Sequence, residues 1–449
     1  MRHVILLAVS FGCSPDASFN IYIISSLTVA PESCDKIQEI TAEAQRMLRL
    51  CGLCGFALKP CYRSPPIMAK FTRRSLIKYA GLAAMQPIVG ASGKAPVQNA
   101  ARRKAPKKIC VEEHFSTADH LENLLSIYDK RYPLAAVVEE EKYILADAPF
   151  LSSMTSSAGT SKRMSQLCDI GKGRLEAMDR YGIDTQVISL VSPGVQVFDA
   201  NTATNLAREY NNRLAAAARE HPKRFAGFAC IAPQNPADAA DELERAVREL
   251  GFKGCLINSH TKGEYLDDKK YWVILERAQK LDVPIYLHPR APSPGMMKPF
   301  TGYPSAMLDS AMWGFTAEAA LHSMKLICSG LFDEFPKLKI ILGHLGETIP
   351  FLINRIDNRY SATLLTKKLK KLPGQYFKEN FLVSTSGMNE SPEPLRLAIS
   401  VLGADSIMFA VDYPMENAED AIRFIDTVPI SNSDREKICH INAERIFSL

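Results

Sequence analysis

Eight times after residue 108, a short apolar run rich in β-branched and aromatic residues gives way to a longer stretch with helical period, and this alternation constrains the fold more than any other feature. The runs are Ile109–Glu113, Thr185–Leu190, Arg224–Ile231, Gly254–Asn258, Pro284–His288, Lys339–Gly343, Phe381–Thr385 and Ser406–Val411. Apolar stripes mark the intervening helices, Leu243, Ala246, Val247 and Leu250 in one and Ile274, Leu275, Ala278 and Leu281 in the next. Gly182 and Gly251 stand where helix C-caps belong, and Asp238, after Pro236, reads as a helix start. Eight strands alternating with helices predict a parallel (β/α)8 TIM-type barrel of the α/β class, occupying residues 109–449 as one domain. The first two runs are separated by about 70 residues, too many for one crossover, so residues around 121–160 are expected to form a lid or entrance loop.

In such a barrel the chemistry sits at the C-terminal ends of the strands. The polar residues that close the apolar runs are Glu112 and His114 on the first, Asn258 on the fourth, His288 on the fifth, His344 on the sixth and Asp412 on the eighth. Glu112 and His114 are two apart in a strand and therefore share a face. Glu112, His114, His288 and Asp412 together supply two carboxylates and two imidazoles, a donor set suited to Zn²⁺ or Mn²⁺ with positions left for water or substrate. The fourth strand ends in Asn258 and offers no lysine to bridge a second ion, so one divalent metal ion is expected.

Composition excludes other classes. At 47% hydrophobic and 23% charged, 449 residues can bury a large core, and disorder throughout is excluded. The net charge of +5 is unevenly spread: residues 1–67 hold 6 basic and 5 acidic residues, residues 68–108 hold 10 and none, and residues 109–449 hold 38 and 44. The acidic body argues against a nucleic-acid partner. From Met68, Thr72-Arg73-Arg74-Ser75-Leu76-Ile77-Lys78 precedes a modest apolar stretch and a small-residue exit, which resembles a twin-arginine export signal. The stretch is too short for a stable membrane span. Export to the periplasm is thus expected, with 68–108 as signal and linker and 1–67 outside the mature protein; a cytoplasmic location is the alternative. The 11 cysteines are widely scattered and predict no disulfide framework, and Cys51-x-x-Cys54 lacks the second pair or histidine a zinc site needs.

Four separated motifs then carry a family resemblance: Glu112-Glu113-His114-Phe115, Leu287-His288-Pro289-Arg290, Gly343-His344-Leu345-Gly346-Glu347 followed by Arg355-Ile356-Asp357, and Asp412-Tyr413-Pro414. Ser329–Pro336 and Asn442-Ala443-Glu444-Arg445 fit as well. From about residue 108 to Leu449 the chain resembles the amidohydrolase-related metal-dependent decarboxylases, which include γ-resorcylate, 2,3-dihydroxybenzoate and 5-carboxyvanillate decarboxylases. Asp412-Tyr413-Pro414 and Trp313-Gly314-Phe315 look most like the 5-carboxyvanillate branch. The resemblance implies removal of carboxylate from a hydroxylated aromatic acid with one Mn²⁺ or Zn²⁺. It implies Asp412 as proton donor to the ring as well as metal neighbour, and a hydrogen-bonded pair of His344 with Glu347. Arg355, then Arg290, are assigned to the substrate's carboxylate or phenolate, with Asn258 also facing substrate. A homo-oligomer, dimer or tetramer, is the expected assembly. The alternative is a metal-dependent hydrolase of an ester, lactone or amide using the same residues, with Asp412 as base.

Overall fold

The computed structural model describes residues 2–11, 19–29, 106–131, 158–300, 308–363 and 369–449. The chain divides into two compact units, Met1–Asn99 and Ala100–Leu449. In the first, β1 (Arg2–Phe11) and β2 (Phe19–Val29) pair antiparallel along their whole length, with one shift of register between Leu6 and Leu7. The sequence shows no sustained alternation here, because Leu6-Leu7 at the shift and polar residues such as Ser25 and Ser26 interrupt it. The export-like segment from Met68 and Cys51-x-x-Cys54 lie outside the described residues.

The second unit is built on β3 (Ile109–Phe115), β4 (Thr185–Leu190), β5 (Phe225–Gly227), β6 (Ala229–Cys230), β7 (Cys255–Asn258), β8 (Ile285–His288), β9 (Ile340–Leu342), β10 (Phe381–Ser384) and β11 (Ile407–Met408). All the pairings are parallel, in the order β3-β4-β5 and β6-β7-β8-β9-β10-β11. Two seams join these groups. β5 and β6 are one run interrupted at Phe228, whose N–H donates to Ile188 O. At the other seam Val111 N donates to Phe409 O at 3.1 Å, Asp412 N to Glu112 O at 2.9 Å and His114 N to Tyr413 O at 2.8 Å. The eighth run therefore turns from β10 onto β3, and the ring closes as a (β/α)8 barrel.

Side-chain alternation sorts the interior from the shell. Ile109, Val111, Val187, Ala226, Phe228, Leu256, Tyr286, Ile341, Leu382, Met408 and Ala410 pack together inside the barrel, where Ala443 and Phe447 of the terminal helix join them. Their neighbours Cys110, Ile188, Ile257, Leu287, Leu342, Val383 and Phe409 face the helices instead. Two residues beyond an interior position, the same face carries Asn258 after Leu256, His288 after Tyr286, Ser384 after Leu382 and Asp412 after Ala410. The barrel thus offers a polar rim directly above an apolar floor.

Helix Lys172–Tyr181 ends at Gly182 (φ 67°), whose N–H donates to Asp179 O and Met178 O. Helix Pro236–Arg248 starts at Pro236 with Asn235 before it, so Asp238 lies in its first turn instead of starting it. Of residues 121–160, expected as a lid, the first part belongs to helix Ala118–Arg131 with Leu121 and Leu124 buried in the shell. Residues 132–157 lie outside the described residues. The described cysteines are free thiols. No helix among the described residues is long and apolar enough to cross a membrane.

Candidate metal centre

Strand β3 does not simply alternate. Its register with β4 shifts between Cys110 and Glu113. This bulge lets Glu112 and His114 point to the same interior as Ile109 and Val111, while Cys110, Glu113 and Phe115 turn outward. Glu112, His114 and His288 then each offer one ligand atom within 4.8 Å of the others, all buried. Asp412 joins from the His114 side, its Oδ1 3.1 Å from His114 Nε2.

Hydrogen bonds fix which atoms face inward. Ser189 Oγ donates to Glu113 O at 3.2 Å, so it accepts from His114 Nδ1 at 3.1 Å, and Nε2 keeps its lone pair. Glu112 Oε2 accepts from the Tyr286 hydroxyl and from Ser384 Oγ at 2.8 Å. What remains is a group of acceptors without donors: Glu112 Oε1, His114 Nε2 and Asp412 Oδ1 are buried and have no hydrogen-bond partner. Lone pairs held this close in a buried site repel one another unless a cation, or a proton on Asp412, lies between them. The residues present therefore fit one divalent ion, and the mixed oxygen and nitrogen donors suit Mn²⁺ or Zn²⁺. Gly343 belongs to the same design, since a Cβ there would stand 3.1 Å from Glu112 Oε1.

Charge follows burial. Desolvation pushes the His114 ring down to about 4 and the His288 ring to about 3, keeping both neutral, the form a metal ligand needs. Burial also works against the charged form of Glu112, but His344, His288 and the Tyr286 hydroxyl pull its carboxyl below the usual range. Burial, then the Glu112 carboxylate, hold Asp412 well above that range. Two carboxyls in one site are thus driven apart, a separation that a divalent cation would oppose.

His344 follows β9 through an unusual turn. Residues His344, Leu345, Gly346, Glu347 and Thr348 have φ of 49°, 54°, 88°, 52° and 68°, all in the left-handed region. Each non-glycine residue there costs about 1 kcal/mol. The turn brings His344 Nδ1 to 2.7 Å from Glu347 Oε1. Burial opposes a charge on His344, yet Glu347, then Glu112 and Asp412, raise it to about 10.

The other residues singled out by the sequence are placed differently from one another. Asn258 is buried at the end of β7, its backbone N–H held by Gln196 at 2.7 Å and its Oδ1 without a partner. Arg290 is fully buried two residues past His288 and donates to His260 O at 3.2 Å. Arg355 stands exposed on helix Ile349–Ser361, and the structure does not bring it into the buried group. Sequence reasoning missed Tyr286 and Ser384, which orient Glu112, and Ser189, which orients His114. Tyr286 had a signal, being two residues before His288 and so on its face. Ser189 and Ser384 had none, since a serine near a strand end is ordinary.

A second buried polar group adjoins the rim. His322 Nε2 accepts from Leu266 N at 3.0 Å, so its Nδ1 donates to Ser259 Oγ at 3.1 Å, and Ser259 Oγ donates to Glu318 Oε1 at 3.1 Å. Glu318 Oε2 accepts from Ser293 N at 3.0 Å and Tyr265 Oη at 3.2 Å.

The amidohydrolase family matches residues 145–449. A γ-resorcylate decarboxylase of Polaromonas sp. is 39% identical over 352 residues, 76% of this chain and 98% of the relative. Among solved structures, a 5-carboxyvanillate decarboxylase from Sphingomonas paucimobilis superposes with a TM-score of 0.69 at 36% identity, covering 77% of this chain and 100% of that one. A dihydroxybenzoic acid decarboxylase of Polaromonas sp., solved with bound manganese and 2-nitroresorcinol, gives 0.67 at 38% identity, covering 77% and 97%.

Proposed function

This chain belongs to the amidohydrolase family, among its metal-dependent decarboxylases, and we propose that it removes carboxylate non-oxidatively from a hydroxylated aromatic acid. The observation that carries this reading is the converging set of buried, unpartnered acceptors on Glu112, His114 and Asp412 beside His288. Manganese is the favoured ion, as in the Polaromonas neighbour, with zinc as the alternative. When bound, the ion supplies positive charge to hold the substrate's anionic oxygens.

The chain's own residues supply the rest. Breaking the carbon–carboxylate bond directly would leave an aryl carbanion, so the ring carbon must first gain a proton. Asp412 is assigned as the donor from its place beside His114 in the centre; burial and Glu112 raise its carboxyl above the usual range, the direction a donor near neutral pH needs, and a bound cation would reduce that shift. Its proton goes to the ring carbon that bears the carboxylate. The carbon–carbon bond then breaks, its electron pair restores the aromatic ring, and carbon dioxide leaves. Re-protonation of Asp412 completes the cycle. His344, charged through Glu347, faces the same site and is assigned to hold a substrate oxygen. Asn258 Oδ1 and Arg290 lie at the same rim and are assigned to substrate orientation.

γ-Resorcylate and 5-carboxyvanillate share a phenol oxygen beside the departing carboxylate, and that ortho arrangement defines the substrate class proposed here. The motif at Trp313 favours the vanillate branch, while the 39% identity favours the resorcylate branch. The test is a panel of ortho-hydroxybenzoates incubated with manganese-loaded protein, scored for carbon dioxide. Release from at least one of them is expected. No release from any would overturn this reading, and solvent oxygen appearing in the product of an ester or lactone would replace it with the hydrolase.

Phe351 (76% exposed) and Leu352 stand with Arg355 on helix Ile349–Ser361, and a homo-oligomer would cover them. Light scattering of Phe351→Asp against the parental protein tests this. Export rests on Arg73-Arg74 and the apolar stretch behind them. A chain starting at Met68 should reach the periplasm of a twin-arginine host, and replacing both arginines by lysine should retain it in the cytoplasm.

A further inference from the structure

Asp412 is a non-glycine residue at φ 70°, a backbone conformation that something must enforce. The two peptide N–H groups on either side of it supply the answer. Val411 N donates to Glu113 Oε1 at 3.0 Å, and Tyr413 N donates to Glu113 Oε2 at 3.2 Å. One carboxylate thus straddles Asp412, gripping the residue before and the residue after, while Asp412 N itself is tied to Glu112 O. Glu113 is fully buried and, because of the bulge in β3, faces the shell instead of the rim.

Glu113 is itself braced from behind. Gln186 Nε2 of β4 donates to Glu113 Oε2 at 3.1 Å, and Arg174 of helix Lys172–Tyr181 donates to Gln186 Oε1 at 3.3 Å. The same guanidinium donates to His114 O and lies 5.0 Å over the Tyr413 ring. A brace therefore runs from helix Lys172–Tyr181 through β4 to both ends of the site.

We infer that Glu113 is a positioning residue for Asp412: its two oxygens fix the left-handed turn that aims the Asp412 carboxyl at the metal centre, and Gln186 with Arg174 hold Glu113 in place. This rests on the reading of Asp412 as ligand and proton donor. The competing account is that Glu113 serves only as counter-charge to the buried Arg174.

Three variants of the full chain separate the two accounts, with Mn²⁺ alone as the probe, titrated by electron paramagnetic resonance of the free ion. Glu113→Gln leaves one oxygen for two N–H groups and should weaken Mn²⁺ binding about 10–100-fold. Adding Gln186→Glu restores a carboxylate beside Arg174 but not the second acceptor for the 411 and 413 amides. It should recover melting temperature without recovering Mn²⁺ affinity. Glu113→Asp keeps the carboxyl group but is one methylene too short to reach both amides, and should also bind weakly; it decides the matter if Glu113→Gln does not fold. Mn²⁺ affinity within twofold of parental in Glu113→Gln or Glu113→Asp, or its recovery in the double variant, overturns the inference. A parental protein that binds Mn²⁺ but decarboxylates no ortho-hydroxybenzoate sinks the proposed function alone, because the affinities still judge Glu113. A parental protein that binds no Mn²⁺ sinks both.

Discussion

Two buried polar groups lie close together at the rim of this barrel, and they are opposites. Around Glu318, Ser259, His322, Tyr265 and the Ser293 amide, the polar contacts form a closed chain that leads from the Leu266 N–H through His322 and Ser259 to the carboxylate. Around Glu112, His114 and Asp412 the donors all approach from outside, and the inward atoms are left without partners. Both contain histidines whose burial drives them neutral, so histidine burial does not tell them apart. The difference lies in satisfaction: a polar group that closes on itself stabilises the fold, whereas one that ends in lone pairs is built to receive something else.

Removing a residue from each group should break the molecule in different ways. His288→Ala should abolish turnover and empty the centre of metal while leaving the melting temperature of the metal-free protein nearly unchanged. Elemental analysis checks occupancy, and full occupancy would withdraw His288 as a ligand. Asp412→Asn keeps the shape and one oxygen but has no transferable proton. Turnover should fall by roughly 10²–10⁴-fold with metal retained. A metal-loaded Asp412→Asn protein working at the parental rate would end the proton-donor assignment.

The closed group should respond in stability instead. Glu318→Ala strands the Ser259 hydroxyl and the Ser293 amide without an acceptor, at a cost of roughly 3 kcal/mol in unfolding free energy. Manganese stoichiometry should stay at one per chain, and a loss of metal with an unchanged melting curve would erase the distinction between the two groups. The smallest effect is on acid stability. Burial lowers His322 of the closed group to about 3, and His120, a buried histidine on helix Ala118–Arg131 whose Nδ1 meets Ser116 Oγ at 2.8 Å, to about 4, below the value of about 6.5 expected when the chain is unfolded. The unfolded chain therefore takes up protons that the folded one refuses, and the stabilisation present above pH 6.5 is lost as pH falls toward 4 and then 3. Between pH 6.5 and 5 each histidine should cost about 2 kcal/mol. Denaturant titrations of His120→Asn against parental protein should show a shallower decline for the variant.

Much of this was legible in the chain. A strand of four to seven apolar residues closed by a carboxylate or imidazole is a local signal, and β4, β7, β8 and β10 lie within or match the runs read from the sequence. Asp412 and His288 were legible because they end such runs. The supports were not. Ser384 holds Glu112 across 272 residues with nothing in the sequence to point to it, and Tyr286, 174 residues away, shows only that it shares the face of His288. The hairpin of β1 and β2 escaped because a shift of register spoils the alternation that reveals a strand. Arg355 shows the converse: a motif names the residue, but exposure on its helix is decided by the packing of the fold.

The bulge in β3 gives the first strand a parity. Exchanging Glu112 or His114 for another donor side chain preserves which residues look into the barrel, so the candidate donor set can be altered by point mutation. Inserting or deleting a single residue between Cys110 and Glu113 would send Glu112 and His114 into the shell and turn their neighbours toward the rim, in one step. At this strand, substitutions are variations on a centre and length changes are its erasure.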